Sequence, residues 1–477
     1  MEVKVLSKEN IMPSSPTPPH LKTFQLSLLD QFSPVLYAPL IIFYTMDNKD
    51  DPRHHQSHEK LMATLKSSLS KTLSHFYLLA GRIVDKSICC SDEGAVFIEA
   101  TVSCSMSEIL KQPNNEFLMK LVPCSERCTK PIEEYAHVIV QVNVFDCGGI
   151  AISLCLLHKL MDATTIGCFL KCWATINKRS FATTNLTIDN GASELFTPPS
   201  SMTNDDNSDP FSKMVCYDYK ELSSLFPQTN FLPFHPRLHE ALSSNCEEKS
   251  SFQRFVFKEK AILDLKAKAK SNDVPNPTSV EVLSGFIWKC ALEAASTKLG
   301  LSQIPSILTH AVNLRKRMEP PLPEFSVGNI FWNVVAHYLA DKKTQVELSE
   351  LVSLIRQSFV DINGNYIKRI VGNEGSEALV KLVWERNMKL FQIPKLYICT
   401  SWRNMDLSEV NFGWGKPVWI GSAGNSNTTI KNMIVLLDAI SNDGVEAWVI
   451  LEEEEMQILL QNQEFFNFAL LNPPIPI

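Results

Sequence analysis

Three short stretches carry side chains that could do chemistry, beginning with Leu156-Leu157-His158-Lys159-Leu160-Met161-Asp162-Ala163. His158 stands at the end of an apolar run and just before a helical pattern, and α/β proteins place reactive side chains at such strand ends. A histidine suits proton abstraction near neutral pH. Asp162 is placed to cap the amides of Thr164 and Thr165 at the mouth of the following helix. The same spacing equally fits a buried histidine beside a capping aspartate. The second stretch is Asn411-Phe412-Gly413-Trp414-Gly415-Lys416-Pro417, where two glycines around a tryptophan permit unusual backbone angles and close approach. It also reads as a packed aromatic loop. The third is Thr400-Ser401-Trp402, whose hydroxyl and indole N–H donors could stabilise an oxyanion.

Elements must position these residues. Apolar and polar residues alternate loosely over Lys22 to Leu29, and Leu40 to Tyr44 is continuously apolar, so both read as strands. Leu61, Leu65, Leu69 and Leu73 recur every fourth residue and predict a helix over Lys60 to Phe76. His137 to Val144 and Ile150 to Leu157 flank Asp146-Cys147-Gly148-Gly149, a hairpin signature. Ala163 to Ile176 then reads as a helix. From Thr183 to Asp209 the periodicity is lost in Asn, Ser, Thr, Asp and Pro, which suits a long crossover. We divide the chain there, into 1–200 and 201–477. The second half mixes strands (Phe252 to Phe257, Leu308 to Leu314, Phe331 to Leu339, Val418 to Ile420, Met433 to Leu437, Val445 to Leu451) with helices. The helices are Lys258 to Lys270, one opened by Pro277-Thr278, Gln345 to Phe359, and Glu452 to Leu460. The fold class is therefore α/β in two domains.

Composition narrows the function classes. The 477 residues suit two domains. The net charge of −7 comes without a basic stripe, which argues against nucleic acid. No run approaches the roughly 18 apolar residues of a membrane span. The opening residues carry both charge signs and no apolar core, unlike a secretory leader, so the cytoplasm is the expected location. The 13 cysteines form no Cys-x-x-Cys pair and no zinc-type array, so no metal site is read. Cys155, Cys290 and Cys399 sit in apolar surroundings and read as reduced thiols. Odd spacing along a strand sets Cys155 opposite His158, against a cysteine–histidine dyad. The acidic run Glu452 to Glu455 reads as a solvated helix start.

Taken together and in order, His158-x-x-x-Asp162, Arg315 after Ala311-Val312-Asn313-Leu314, and Asn411-Phe-Gly-Trp-Gly resemble the plant BAHD acyl-CoA-dependent acyltransferases over essentially the whole length. Pro13-Ser14-Ser15-Pro16-Thr17-Pro18, Leu28-Leu29-Asp30-Gln31, Ala80-Gly81-Arg82, Val327-Gly328-Asn329 and Gly444 to Trp448 match as well. The resemblance implies two similar chloramphenicol-acetyltransferase-like domains with a solvent channel between them. It implies acyl-CoA as co-substrate, with no tightly bound cofactor, a small-molecule acceptor and a monomer. His158 would deprotonate the acceptor hydroxyl, with Thr400 and Trp402 orienting substrate and stabilising the oxyanion. Asp162 would pair with Arg315 and hold the His158 loop.

Thr278, Ser279, Gly413, Trp414 and Gly415 would serve the coenzyme side. Asn411 stands where the family usually has aspartate. Leu78, Ser279 and Ala163 also depart from the usual proline, basic residue and glycine. The proline-rich opening is similar to the branch acting with small aliphatic acyl donors on alkaloids, terpenoids or sugar esters. The alternative that Asn411 motivates is a non-catalytic binding relative. A carrier-protein condensation domain shares His-x-x-x-Asp but has a further histidine and a glycine where Leu157 and Ala163 stand.

Overall fold

The computed structural model describes residues 1–46, 57–123, 131–184, 220–230, 249–323, 326–340, 345–390, 395–424, 430–441 and 443–476. The expected crossover from Thr183 to Asp209, and with it the division at 200/201, falls almost wholly outside these residues.

The first half folds around a six-stranded mixed sheet. Its spatial order is Val3–Ile11, Ala95–Val102, Val138–Phe145, Ile150–Leu157, Tyr37–Tyr44 and Trp419–Gly421. The expected hairpin forms as Val138–Phe145 against Ile150–Leu157. Ile150–Leu157 lies inside the sheet and all eight of its residues are buried, hence its unbroken apolar run. The helix His58–His75 buries Leu61, Leu65, Leu69 and Leu73. Each contributes roughly 1.5–3 kcal/mol by leaving water. It packs on the helix Ala163–Thr184, where Trp173 Nε1 donates to Leu65 O (3.3 Å) and to Ser68 Oγ (3.0 Å).

The last strand of that sheet comes from the second half. Trp419–Gly421 pairs antiparallel with Ile41 to Phe43, so the two halves of the sequence share one sheet. The second half builds its own seven-stranded mixed sheet in the order Phe331–Tyr338, Ser306–Asn313, Lys395–Ser401, Met433–Asp438, Gly444–Glu452, Ser250–Lys258 and Leu470–Leu471. The helices Glu259–Ala269, Ser279–Leu299 and Leu348–Val360 accompany it. A separate core joins Leu28 and Leu29 to Leu222, Phe226, Val312, Leu314, Ile330 and Trp332, bringing both halves together beneath the His158 loop.

Three expectations need correction. Lys22 to Leu29 is not one strand: only Thr23–Gln25 is extended, and Leu28–Phe32 is helical. Capping overrides alternation there, because Ser27 Oγ accepts from Asp30 N (3.1 Å) and Asp30 Oδ2 accepts from Ser27 N (3.0 Å). The acidic run is not wholly solvated. Glu455 is buried in an ion pair with Lys395, and Glu452 pairs with Lys298 at 2.7 Å. Cys290 and Cys399 are buried free thiols, but Cys155 is disulfide-bonded, and apolar flanks alone do not tell which sulfurs meet. Among the described residues no helix is long and apolar enough to cross a membrane.

Candidate active site

The chain turns sharply after the buried strand Ile150–Leu157, and His158 opens that turn. Its backbone N–H donates to Leu36 O (2.8 Å), fixing where the loop leaves the sheet. The imidazole is half-buried, and its Nδ1 is buried without a hydrogen bond. Burial pushes its pKa below the ordinary 6.5, against the opposing influence of its own backbone, the Asp162 charge and the Asn329 carboxamide. The imidazole is therefore neutral, the form a base must take. Phe331 packs beside it, with ring centroids 5.9 Å apart.

Asp162 points away into a buried network. Its Oδ1 accepts from Thr165 N (2.9 Å), the cap read from the sequence. Arg315 grips both oxygens, Nη1 to Oδ2 at 2.7 Å and Nη2 to Oδ1 at 3.1 Å. This is a buried bidentate pair between the two halves of the chain. The remaining guanidinium donors reach Ser326 O (3.0 and 2.8 Å) and Gly328 O (3.3 Å). A buried ion pair is tolerable only when its other polar atoms are satisfied in this way.

The segment from Ser326 to Ile330 completes the clamp. Ile330 N donates to Asp162 Oδ2 at 3.0 Å. Asn329 Nδ2 donates to the carbonyls of His158 (3.0 Å) and Lys159 (2.9 Å), and to Asp30 Oδ1 (3.1 Å). Asp30 also accepts from Asn329 N at 3.1 Å, and burial pushes its carboxyl above the usual aspartate value. Lys159 Nζ donates to Gln31 O and Ser33 O, both at 2.9 Å, and burial lowers it to about 8. Sequence reasoning gave Asp30, Lys159, Asn329 and Phe331 no role. The available signal was polarity out of place: an aspartate inside Leu-Leu-Asp-Gln and an asparagine after Val-Gly.

His158, Asp162 and Arg315 are thus one unit, and the other candidates lie elsewhere. Thr400 and Trp402 sit at the end of the strand Lys395–Ser401, with Trp402 N donating to Leu436 O (2.8 Å). Among the described residues no hydrogen bond or ring contact joins either side chain to His158, and neither Thr400 Oγ1 nor Trp402 Nε1 makes a hydrogen bond. Thr278 caps the helix Ser279–Leu299, its hydroxyl accepting from Glu281 N (3.2 Å) and donating to Glu281 Oε2 (2.8 Å). That hydroxyl is already committed. Ser279 is the first helical residue and is half-buried.

Asn411, Gly413, Trp414 and Gly415 form a loop seated on the first half. Asn411 Oδ1 accepts from Gly413 N (2.8 Å) and Gly415 N (3.1 Å). Both glycines have positive φ, 111° and 115°, a backbone that disfavours other residues. Phe412 stacks on Trp414 and meets Trp173 edge-on, while Asn177 Nδ2 donates to Phe412 O at 2.6 Å. Trp414 is buried in this aromatic group, so the loop ties the halves together.

The transferase family matches residues 1–466. The chain belongs to it, and is a BAHD acyltransferase. It is 36% identical to a limonoid 7-O-acetyltransferase of Citrus sinensis, covering 99% of both chains. It resembles the crystal structure of vinorine synthase with a TM-score of 0.74 and 28% identity, over 98% of each chain. A protein of F. sporotrichioides crystallised with coenzyme A shares the fold: TM-score 0.63 at 15% identity, over 94% of this chain and 99% of that one.

Proposed function

We propose that this acyltransferase moves a small aliphatic acyl group, acetyl or short branched, from coenzyme A to a hydroxyl of an alkaloid or terpenoid, with His158 as general base. The observation that carries the base assignment is the clamp. Asp162, Arg315 and Asn329 hold the backbone around a neutral imidazole and leave the ring itself unbonded. The acceptor O–H gives its proton to His158 as its oxygen attacks the thioester carbonyl. The tetrahedral oxyanion collapses with loss of the C–S bond, and the imidazolium returns the proton to the thiolate. No acyl-enzyme forms. Thr400 Oγ1 and Trp402 Nε1 are uncommitted donors suited to orienting substrate and stabilising the oxyanion. The helix start at Ser279 suits the anionic groups of coenzyme A. The acceptor class follows the limonoid acetyltransferase and vinorine synthase likenesses. One chain supplies the whole clamp, and a monomer is the proposed working form. The free thiols of Cys290 and Cys399 favour the cytosol, and the disulfide at Cys155 stands against it.

The test is acceptor-dependent release of free coenzyme A from acetyl- and isobutyryl-CoA against a panel of alkaloid and terpenoid alcohols. Release with wild type, lost in His158→Ala, is the expected result. Equal release by the variant would overturn the base assignment.

A further inference from the structure

The second sheet divides its residues between a closed face and a half-open one. Val312, Trp332 and Cys399 are buried, on the side that helices cover. At the alternate positions Ala311, Phe331, Asn333 and Thr400 are only half-buried. Phe331 meets the imidazole of His158, ring centroids 5.9 Å apart, so the half-open face looks toward the base. Trp402, two residues beyond Thr400, packs against the core of the first half. Register fixes the neighbours on this face. Ala311 lies directly opposite Asn333 on one side. On the other, His310 is paired with Cys399 in parallel, which sets Thr400 beside Ala311. Nearer the strand end, Asn313 is opposite Phe331. Its side chain is committed elsewhere, Nδ2 donating to Thr164 Oγ1 (3.1 Å) and Oδ1 accepting from Arg315 N (3.0 Å).

The central strand thus offers one methyl, that of Ala311, between two strands that carry rings. The outer strands stand about 10 Å apart, two strand spacings of roughly 4.8 Å. A flat ring system touching both walls needs about 7–8 Å, twice the carbon contact distance. We infer that this groove holds the acceptor: a flat fused-ring alcohol lies between Phe331 and Trp402 over Ala311, with its hydroxyl at His158, and Ala311 and Phe331 set which acceptors fit. Apolar ring faces pack on aromatic walls without stranding a polar group, whereas a sugar ester would bury hydroxyls against them. The inference rests on the transfer to a hydroxyl proposed above.

The experiment compares Ala311→Leu and Phe331→Ala with wild type, all full-length, using acetyl- and isobutyryl-CoA and the fused-ring alcohol that wild type turns over best. Ala311→Leu fills the floor of the groove and should raise KM for the acceptor at least tenfold, on the order of what a misfit of one or more methylenes costs. KM for acyl-CoA should stay within about twofold, and the preference between the two donors should not change. Phe331→Ala removes a wall and should raise the acceptor KM by a similar factor. A folding defect alone would lower the amount of active enzyme and leave both KM values in place. An acceptor KM unmoved in both variants, with wild type active, overturns the groove assignment alone. A shifted donor preference with an unmoved acceptor KM also overturns it, and puts the acyl group in the groove instead. Wild type that transfers to no alcohol overturns the reading beneath. If Ala311→Leu does not fold, Phe331→Ala, which introduces no overlap, decides by the same KM values.

Discussion

At the scale of single residues, burial without compensating charge governs the titrating groups. His158 lies below 6.5 because its desolvation outweighs its own backbone, Asp162 and Asn329. The rate limb controlled by this group should therefore fall off below pH 6.5, with kcat/KM flat from there to neutrality, measured with any accepted pair of substrates. A fall-off centred at 7 or above would contradict a desolvated base. His137 and His310 carry the same argument into stability. Burial lowers them to about 3 and about 4, and each has an unpartnered Nε2. Between pH 6.5 and 5 the unfolded chain binds protons that the folded chain refuses, so stability falls as pH falls. The loss is about 2 kcal/mol per histidine across that window. His310→Gln should flatten the slope of the urea midpoint between pH 7 and 5. An unchanged slope would mean that His310 is protonated in the fold.

At the scale of elements, the Asn411 loop shows why a missing carboxylate need not mean lost function. The position supplies one acceptor oxygen to two backbone N–H groups, and an amide does this as an acid does. Asn411→Asp should leave the melting temperature unchanged or slightly raised. Asn411→Ala strands the part-buried Gly413 N–H at about 1–3 kcal/mol and leaves the exposed Gly415 N–H to water, lowering it by a few degrees in a scanning melt. Equal losses in both variants would show that the Asn411 amide nitrogen has a partner that a carboxylate repels. Most elements were legible from periodicity alone, the Leu61–Leu73 helix and the hairpin before His158 above all, because one-sided burial imposes those periods. The terminal strand Val3–Ile11 was not, since it has exposed apolar residues at Val5 and Leu6 and no clean alternation. His158 and Asp162 were legible as motif. Asn329 and Asp30 were not, because their partners lie 171 and 299 residues away in sequence. Spacing along a chain carries no information about such contacts.

At the scale of the whole molecule, the two halves are not separable in the way their composition suggests. The first sheet takes its edge strand Trp419–Gly421 from the second half, and the ring of Trp419 stacks on Phe43, with centroids 5.2 Å apart. Trp419 also connects to the second sheet, its Nε1 donating to Glu446, which pairs with Arg254 at 2.7 Å. Among the described residues Asp162 meets its counter-charge only through Arg315. A fragment ending at residue 200 would expose the Tyr37–Tyr44 edge to self-pairing. It would uncover the site of Phe412 and Trp414, and leave Asp162 without its cation. Loss of that partner alone costs roughly 3–5 kcal/mol, a large share of a domain's stability. Residues 1–200 expressed alone should therefore aggregate, or remain collapsed without near-ultraviolet dichroism. Arg315→Ala in the full chain should show a milder form of the same defect, as a lowered melting temperature together with lost turnover. A monomeric fragment with a cooperative melt would show instead that the first half carries its own fold and that the borrowed strand serves the site rather than stability.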